Sequence, residues 1–451
     1  MKIIIVGAGA VGSAICEQLV KEGHDVTVVD NNPTSVSDIS MAYDVTAVMG
    51  NSADISVLRQ AGAEDADMLI AVTQMDEGNM LCCYAAKKLG TLYTAARIRN
   101  PEYTEFMELM KSDMNLSMTI NPEYAVAKKI FRMLKFPTAS KVDTFCEGRV
   151  EIAEFTVSEN SALCNLSLLD LREKFNTTFL VCGVKRNEEV YIPSGNFVIK
   201  AGDTVCVTAS DEELLKFFKI VTEARRPIKN ILIFGGGRTT YYLAKMLGKL
   251  VGGTTIIEKN LEKCEELSRE FNITVTHGDG THQDLLLEEG IENADAFLAL
   301  SDTDEENAIV SMYAKKLGVK RIVTMIRSLS YIDFFKDVGL DSIVSPKSST
   351  VDYILRTVRS MADAKDSEIE SLHRMMDGKI EAMEFIIKES IDGLTDIPLA
   401  RVHKIKNSLI ACIVRGENII IPSGHDVIEK GDRVIVLVTG SITNIKDILE
   451  R

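Results

Sequence analysis

Proline is scarce, 9 of 451 residues, which argues against the long disordered or fibrous stretches that proline marks. Apolar runs are short: Met68–Val72 and Ile231–Phe234 fall far below the roughly 20 residues of a membrane-spanning helix. The chain is therefore expected to conduct no ion itself. Positive charge is in deficit, with 51 Lys and Arg against 66 Asp and Glu and a net charge of −15. That sign repels phosphate backbones and anionic lipid over most of the surface, so nucleic acid is a poor partner. CxxC spacing is missing. The nine cysteines are scattered, with only Cys82 and Cys83 adjacent, a pattern of reduced thiols in apolar positions rather than of a disulfide or zinc framework. No His/Cys/Asp cluster has zinc spacing, and no metal site is expected.

The start, Met1-Lys2-Ile3-Ile4-Ile5-Val6-Gly7, runs into glycine and helix signals instead of a small-residue cleavage site. It reads as a strand and not as a signal peptide, and the expected location is cytoplasmic. Composition is otherwise ordinary for a folded chain, 46% hydrophobic and 26% charged. The length is about three times the ~150 residues of a typical domain, so several domains are expected.

The chain matches itself. Gly50–Gly90 aligns without gaps on Gly278–Gly318, with 15 of 41 positions identical, among them Gly62 with Gly290, Asp67 with Asp295 and Lys87-Lys88-Leu89-Gly90 with Lys315-Lys316-Leu317-Gly318. A second block pairs Ile192-Pro193-Ser194-Gly195 with Ile421-Pro422-Ser423-Gly424. The organisation is A-B-A′-B′, with boundaries expected at 1–138, 139–225, 226–365 and 366–451.

In unit A, β-branched runs at Ile3–Val6, Val26–Val29, Thr46–Met49, Met68–Val72 and Thr94–Ile98 alternate with helical patterns near Val11–Lys21, Ser35–Ala42, Ser52–Ala61, Glu77–Lys88 and Tyr103–Lys111. Wholly apolar strands separated by single helices predict a parallel sheet covered on both faces, a doubly wound Rossmann-type α/β domain. Asn121-Pro122-Glu123 opens a further amphipathic helix whose stripe Ala127, Ile130, Phe131 and Leu134 suits either core or an oligomer contact. Val351–Met361 is the corresponding stripe in unit A′. Unit B reads as a small α+β lobe, with strands at Glu151–Val157, Phe179–Val184, Val190–Pro193 and Val205–Thr208 and helices at Leu168–Lys174 and Asp211–Lys219. Arg225-Arg226-Pro227 reads as the linker to the second half.

The strongest chemical signal follows the first strand. Gly7-Ala8-Gly9-Ala10-Val11-Gly12 leads into a helix, and Asp30 ends the next strand. Gly7 permits the tight turn, Gly9 lets backbone approach a pyrophosphate, and Gly12 allows close helix–strand packing. The helix start, through Ala10 and Val11, offers unpaired N–H groups and a positive dipole to phosphate. Asp30 is placed to accept ribose hydroxyls and to repel a 2′-phosphate, which favours NAD or NADH over NADP. The second copy reads Gly235-Gly236-Gly237-Arg238-Thr239-Thr240, with Glu258 matching Asp30. Thr240 fills the place of the third glycine, while Arg238 offers a charge-assisted contact to phosphate. That site is open between a nucleotide pocket and a purely structural turn.

These turns, the acids on the second strands, Asn51 and Gly278-Asp279 after the third strands and Arg97 after the fifth, each followed by a small lobe, resemble the family of domains that regulate potassium conductance (RCK domains). Two such pairs in tandem resemble the regulatory subunits of Trk-type potassium uptake systems over essentially the whole chain. The resemblance implies NAD(H), ATP or ADP as ligand, with phosphates on Gly7, Gly9 and Gly12, ribose on Asp30, the adenine edge near Asn51 and Ser52, and a phosphate clamp on Arg97. Thr73 and Ser301, after the fourth strands, then stand either near the distal half of a dinucleotide or as polar loop caps. The second-copy positions are Gly235, Gly237, Arg238, Glu258, Asp279 and Ser301, although Met325 matches Arg97. Also implied are a homotetrameric gating ring and a membrane potassium-translocating partner, with the chain cytoplasmic and peripheral to the inner face of the membrane.

The rival reading is an NAD-dependent oxidoreductase, since many Rossmann fingerprints belong to enzymes. The lobes are short and hold no recognisable acid–base constellation. His24, His373, His403 and His425 fall in turns or polar segments, and His277 and His282 are matched in the first copy by Met49 and Asp54. No catalytic residue is assigned. A third reading is an assembly scaffold, against which the intact first fingerprint stands.

Overall fold

In the computed structural model, the described residues are all except 104–115, 137–138, 176–177, 222–227, 249–252, 341, 365–368, 404–406, 441, 443 and 450–451. The expected helix Tyr103–Lys111 and the linker Arg225-Arg226-Pro227 fall almost wholly outside them. The chain forms two compact units that regroup the repeat by kind: Met1–Leu134 with Pro227–Leu355, and Lys135–Arg226 with Arg356–Arg451.

The first unit holds both Rossmann copies. In copy one, β1 (Lys2–Val6), β2 (Asp25–Asp30), β3 (Thr46–Met49), β4 (Met68–Ala71) and β5 (Tyr93–Arg97) alternate with α1 (Ala10–Lys21), α2 (Pro33–Ala42), α3 (Ile55–Gln60) and α4 (Asp76–Leu89). β6 (Met118–Ile120), too short to stand out in the sequence, completes a parallel sheet in the order β3-β2-β1-β4-β5-β6. Ile3, Ile4, Ile5 and Val6 are all buried, as a strand covered on both faces requires. Copy two repeats the six-strand order around Asn230–Phe234. In both sheets the order reverses beside the first strand, and ligands of such sheets bind in the crevice outside the carboxyl ends at that switch point.

The stripe on α5 (Pro122–Lys135) has its partner within the chain. Val126, Ala127, Ile130 and Leu134 are buried in one cluster with Ile231, Tyr242, Leu243 and Leu247 of copy two. Of the two readings open for this stripe, core or oligomer contact, these residues take the first. On the matching helix Pro346–Ala364, Val351, Ile354, Leu355 and Val358 are likewise buried.

The second unit holds both lobes, each a five-stranded sheet. An edge strand that the sequence pattern does not announce, Ala139–Phe145, pairs antiparallel with Val150–Thr156, and Ile369–Met375 does the same with Ile380–Ile386. The lobes meet through matching bonds: Glu384 accepts the Cys146 N–H at 3.0 Å and Glu154 accepts the Met376 N–H at 2.9 Å. Both donors have positive φ, 51° and 50°. His373, read as lying in a turn or polar segment, stands on the strand Ile369–Met375 with Nδ1 3.2 Å from Asp143 Oδ1. In each lobe an Arg–carboxylate fork fixes a turn: Arg186 donates twice to the buried Asp203, and Arg415 twice to the buried Asp432.

Candidate functional site

Chain direction brings Gly7, Asp30, Thr73 and Arg97 to the carboxyl edge of one sheet, since each ends or follows β1, β2, β4 or β5. Gly7 sits at φ +104°, and its N–H donates to the Val29 carbonyl at 2.8 Å. Gly9 is the N-cap of α1 with no side-chain cap, so the first N–H groups of that helix have no side-chain acceptor. A Cβ on Gly9 would meet nothing within 4 Å, which leaves the approach to those donors open. Ala10 is exposed, while Val11 is buried and offers only its backbone. The Asp30 carboxylate braces the turn: Oδ2 accepts the Ala8 N–H at 2.6 Å and Oδ1 the Asn32 N–H at 2.8 Å. Each oxygen keeps a second lone-pair site for a hydroxyl. Asn51 is exposed and spends its Oδ1 on the Ala53 N–H at 3.0 Å, with Ser52 half-buried beside it.

Arg97 is held loosely for a half-buried cation. Its Nη1 reaches the Val72 carbonyl at 3.4 Å, and its buried Nε has no hydrogen-bond partner among the described residues. Burial lowers the guanidinium below its ordinary pKa, and Arg99 and Arg238 push the same way, while Glu123 and Asp76 oppose. Arg99 Nε, Asp76 Oδ1 and Glu123 Oε2 are also buried without a hydrogen-bond partner. Arg99 is partly spent, its Nη2 donating to the Gln74 carbonyl at 2.8 Å and its Nε lying 3.7 Å from Asp76 Oδ1, which leaves the buried Nε of Arg97 as an unspent donor of the kind that suits an anion.

One positioning residue went unmarked in the sequence. Asn79 is fully buried; its Oδ1 accepts from Thr73 N–H and Oγ1 at 3.0 and 2.6 Å, and its Nδ2 donates to the carbonyls of Thr73 and Arg97 at 3.2 and 2.9 Å. It thereby ties the loop after β4 to the end of β5. Asn307 repeats this with Ser301 and Met325, and the identity of the two asparagines within the repeated block was the available signal.

In copy two the turn bonds repeat those of copy one, and the differences lie at Thr240 and Met325. Gly235 has φ +100° and Gly237 is an uncapped N-cap. Glu258, longer than Asp30 by one methylene, accepts the Gly236 N–H at 2.6 Å and is buried. The Thr240 hydroxyl donates to the Gly235 carbonyl at 2.5 Å. Met325 is buried with its sulfur 3.9 Å from Thr239 Oγ1. Asp279 spends its Oδ1 on Thr281 N–H and Oγ1 at 2.9 and 2.7 Å. Ser301 is bound to Asn307, and Arg238, at the head of its helix, acts electrostatically on Arg97 of copy one. Of the six second-copy positions, only Arg238 is thereby linked to the Arg97 cluster. Among the described residues no group of three or more His, Cys, Asp or Glu could hold a metal ion, and no helix is long and apolar enough to cross a membrane.

Fold and site together define a tandem Rossmann protein with small α+β lobes, in which both glycine turns leave the helix start uncapped and the arginine that ends the fifth strand of the first copy is a methionine in the second. The TrkA-N domain model matches residues 3–118 and 231–346, and the TrkA-C domain model matches 152–222. The chain belongs to the TrkA family of Trk system potassium uptake proteins. It is 33% identical over 442 residues to the Trk system potassium uptake protein TrkA homolog of Archaeoglobus fulgidus, covering 97% of each chain. With TrkA of Vibrio alginolyticus it shares 34% over 445 residues, 97% of this chain and 96% of that one. Among solved structures, the GsuK channel bound to NAD aligns with a TM-score of 0.64 at 16% identity, over 97% of this chain and 76% of the channel chain, a likeness of fold.

Proposed function

We propose that this chain is the nucleotide-sensing regulatory subunit of a Trk-type potassium uptake system. NAD or NADH binds at the first Rossmann copy, with ATP or ADP as competing ligand, and occupancy is passed to a membrane potassium-translocating subunit. The phosphates lie over Gly7, Gly9, Ala10, Val11 and Gly12, the ribose on Asp30, the adenine edge near Asn51 and Ser52, and Arg97 clamps a phosphate, with Thr73 toward the distal half. The observation that carries this reading is the uncapped start of α1 together with the unpaired, buried Nε of Arg97. Family membership supports it, as does the likeness of fold to a channel that is itself bound to NAD.

The role is regulation and not catalysis. A ligand shifts the equilibrium between two assembled states only through its differential affinity for them, typically about 5- to 150-fold. The working assembly is a homotetrameric ring at the inner face of the membrane, reached through the transporter partner.

Calorimetry with NADH, NAD, ATP and ADP on the full chain and on Asp30→Ala tests the site. The expected result is about one nucleotide per chain, with binding weakened in the variant. Two per chain would restore the second copy as a site. Binding of none would leave the scaffold reading in its place, and a strict monomer by light scattering at micromolar concentration would remove the ring.

A further inference from the structure

One link between the two Rossmann copies has no counterpart in the repeat. Tyr242 lies on the helix Arg238–Leu247 that follows the second glycine turn. Its hydroxyl accepts from Asn121 Nδ2 at 2.8 Å and donates to the Arg99 carbonyl at 3.4 Å. Asn121 also caps α5, its Oδ1 accepting the Tyr124 N–H at 2.8 Å, and the Tyr124 and Tyr242 rings meet edge-on with centroids 5.5 Å apart. Arg99 is held in turn, since its N–H and that of Asn100 donate to Asp76 Oδ2 at 2.8 and 2.9 Å. The Tyr242 hydroxyl thus bonds the carbonyl two residues beyond Arg97, on the segment that leaves β5.

By the repeat, Tyr242 matches Ala14, and Asn121-Pro122 matches Ser345-Pro346. Alanine has no hydroxyl, so the reciprocal bond from copy two into the first turn helix cannot form. The connection runs from the Arg97 strand of copy one to the turn helix of copy two. In copy two Glu258 accepts the turn N–H as Asp30 does in copy one, but Met325 stands in place of the Arg97 clamp.

We infer that Tyr242 is a positioning residue that reports the state of the first nucleotide site to the second Rossmann copy, whose turn helix reads that site in place of a ligand of its own. The inference rests on the nucleotide reading above. A phosphate that engages Arg97 fixes the end of β5, and with it the Arg99 carbonyl two residues on. The 3.4 Å bond to Tyr242 is long for O–H···O, so it has room to tighten when that end is fixed. The coupling is then an equilibrium one, carried by a bond whose strength differs between the two states.

Hydrogen exchange read by mass spectrometry on the full chain, with and without NADH and in a parallel arm ATP, tests the link. In the parent protein nucleotide should slow exchange both at residues 7–21 and at 238–247, the latter by about fivefold or more. In Tyr242→Phe, which keeps the ring packing, calorimetric binding and the slowing at 7–21 should persist while the slowing at 238–247 is lost. Asn121→Asp, which keeps the α5 cap but removes the donor to Tyr242, should give the same split. Equal slowing at 238–247 in parent and variants would overturn the inference and leave the nucleotide site standing. If the parent protein binds neither nucleotide by calorimetry, the site reading itself falls and this link falls with it.

Discussion

A Cβ on Gly12 would stand 1.8 Å from the carbonyl oxygen of Gly7. Helix α1 is therefore packed on its own turn as closely as backbone allows, and that contact aims the first N–H groups of the helix across the carboxyl edge of the sheet. In copy two, Thr240 takes the place of Gly12 and its hydroxyl bonds the Gly235 carbonyl.

Gly12→Ala is accordingly expected to displace α1 from its turn. Overpacking of this kind costs about 1–3 kcal/mol, to be read in denaturant unfolding. Nucleotide binding should fall with it in calorimetry, and a variant that keeps both parent stability and parent affinity would contradict the turn geometry.

Arg97→Met installs the second-copy residue in the first site. Loss of a charge-assisted phosphate contact, about 1.5–3 kcal/mol, corresponds to a roughly 10- to 150-fold weaker nucleotide affinity with the fold intact by circular dichroism. Unchanged affinity for all four nucleotides would show that the clamp lies elsewhere.

Asn79→Ala removes the partner of Thr73 N–H and of the Arg97 carbonyl in a fully buried setting. Each stranded group costs about 1–3 kcal/mol, so a loss of about 2–6 kcal/mol is expected in chemical denaturation. A loss below about 1 kcal/mol would show that the loop after β4 is held by other contacts.

The lobe pair carries an acid-sensitive contact. Burial alone would raise the Asp143 carboxyl, but the hydrogen bond and charge of His373, with help from Lys141, lower it from 3.8 to about 2. A lowered carboxylate contributes stability above its unfolded value, here on the order of 2 kcal/mol, and loses it as pH falls from about 4 toward 2. His373→Ala should therefore move acid unfolding of the lobes to higher pH. An unmoved acid midpoint would place the acid sensitivity elsewhere.

Glu154 and Glu384 hold matching positions with opposite shifts. Burial raises Glu154, with the Met376 N–H opposing. Burial would raise Glu384 too, but the Cys146 N–H and Arg433 bring it below its ordinary value. A raised carboxyl contributes stability below its ordinary pKa and loses it as pH rises through the raised one. Glu154→Gln should be neutral or stabilising at pH 7, whereas Glu384→Gln should cost about 1–3 kcal/mol by stranding the half-buried Arg433. Equal effects of the two changes in thermal melts would refute the asymmetry.

Much of the Rossmann architecture was written locally. Strands covered on both faces must be apolar throughout, so Ile3–Val6 and Met68–Val72 announced themselves, and the repeat doubled each signal. Gly7, Gly12 and Asp30 were legible because backbone geometry demands those residue types at that spacing. The edge strand Ala139–Phe145 was not, since Ala-Ser-Lys-Val-Asp-Thr-Phe has only weak alternation and is made a strand by pairing with Val150–Thr156. The place of His373 was hidden for a related reason: its partner Asp143 lies 230 positions away.

The doubled α/β–lobe plan, the first glycine turn with its acid, and the loss of Gly and Arg in the second turn all follow from the order of residues, because each depends on local backbone sterics or residue chemistry. That Rossmann pairs with Rossmann and lobe with lobe, that the α5 stripe is spent inside the chain against the helix of Tyr242, and that Arg238 acts on Arg97 emerge only in the folded chain. Such contacts join residues more than a hundred positions apart. An apolar stripe or a charged side chain specifies what it needs to meet, and packing specifies which surface supplies it.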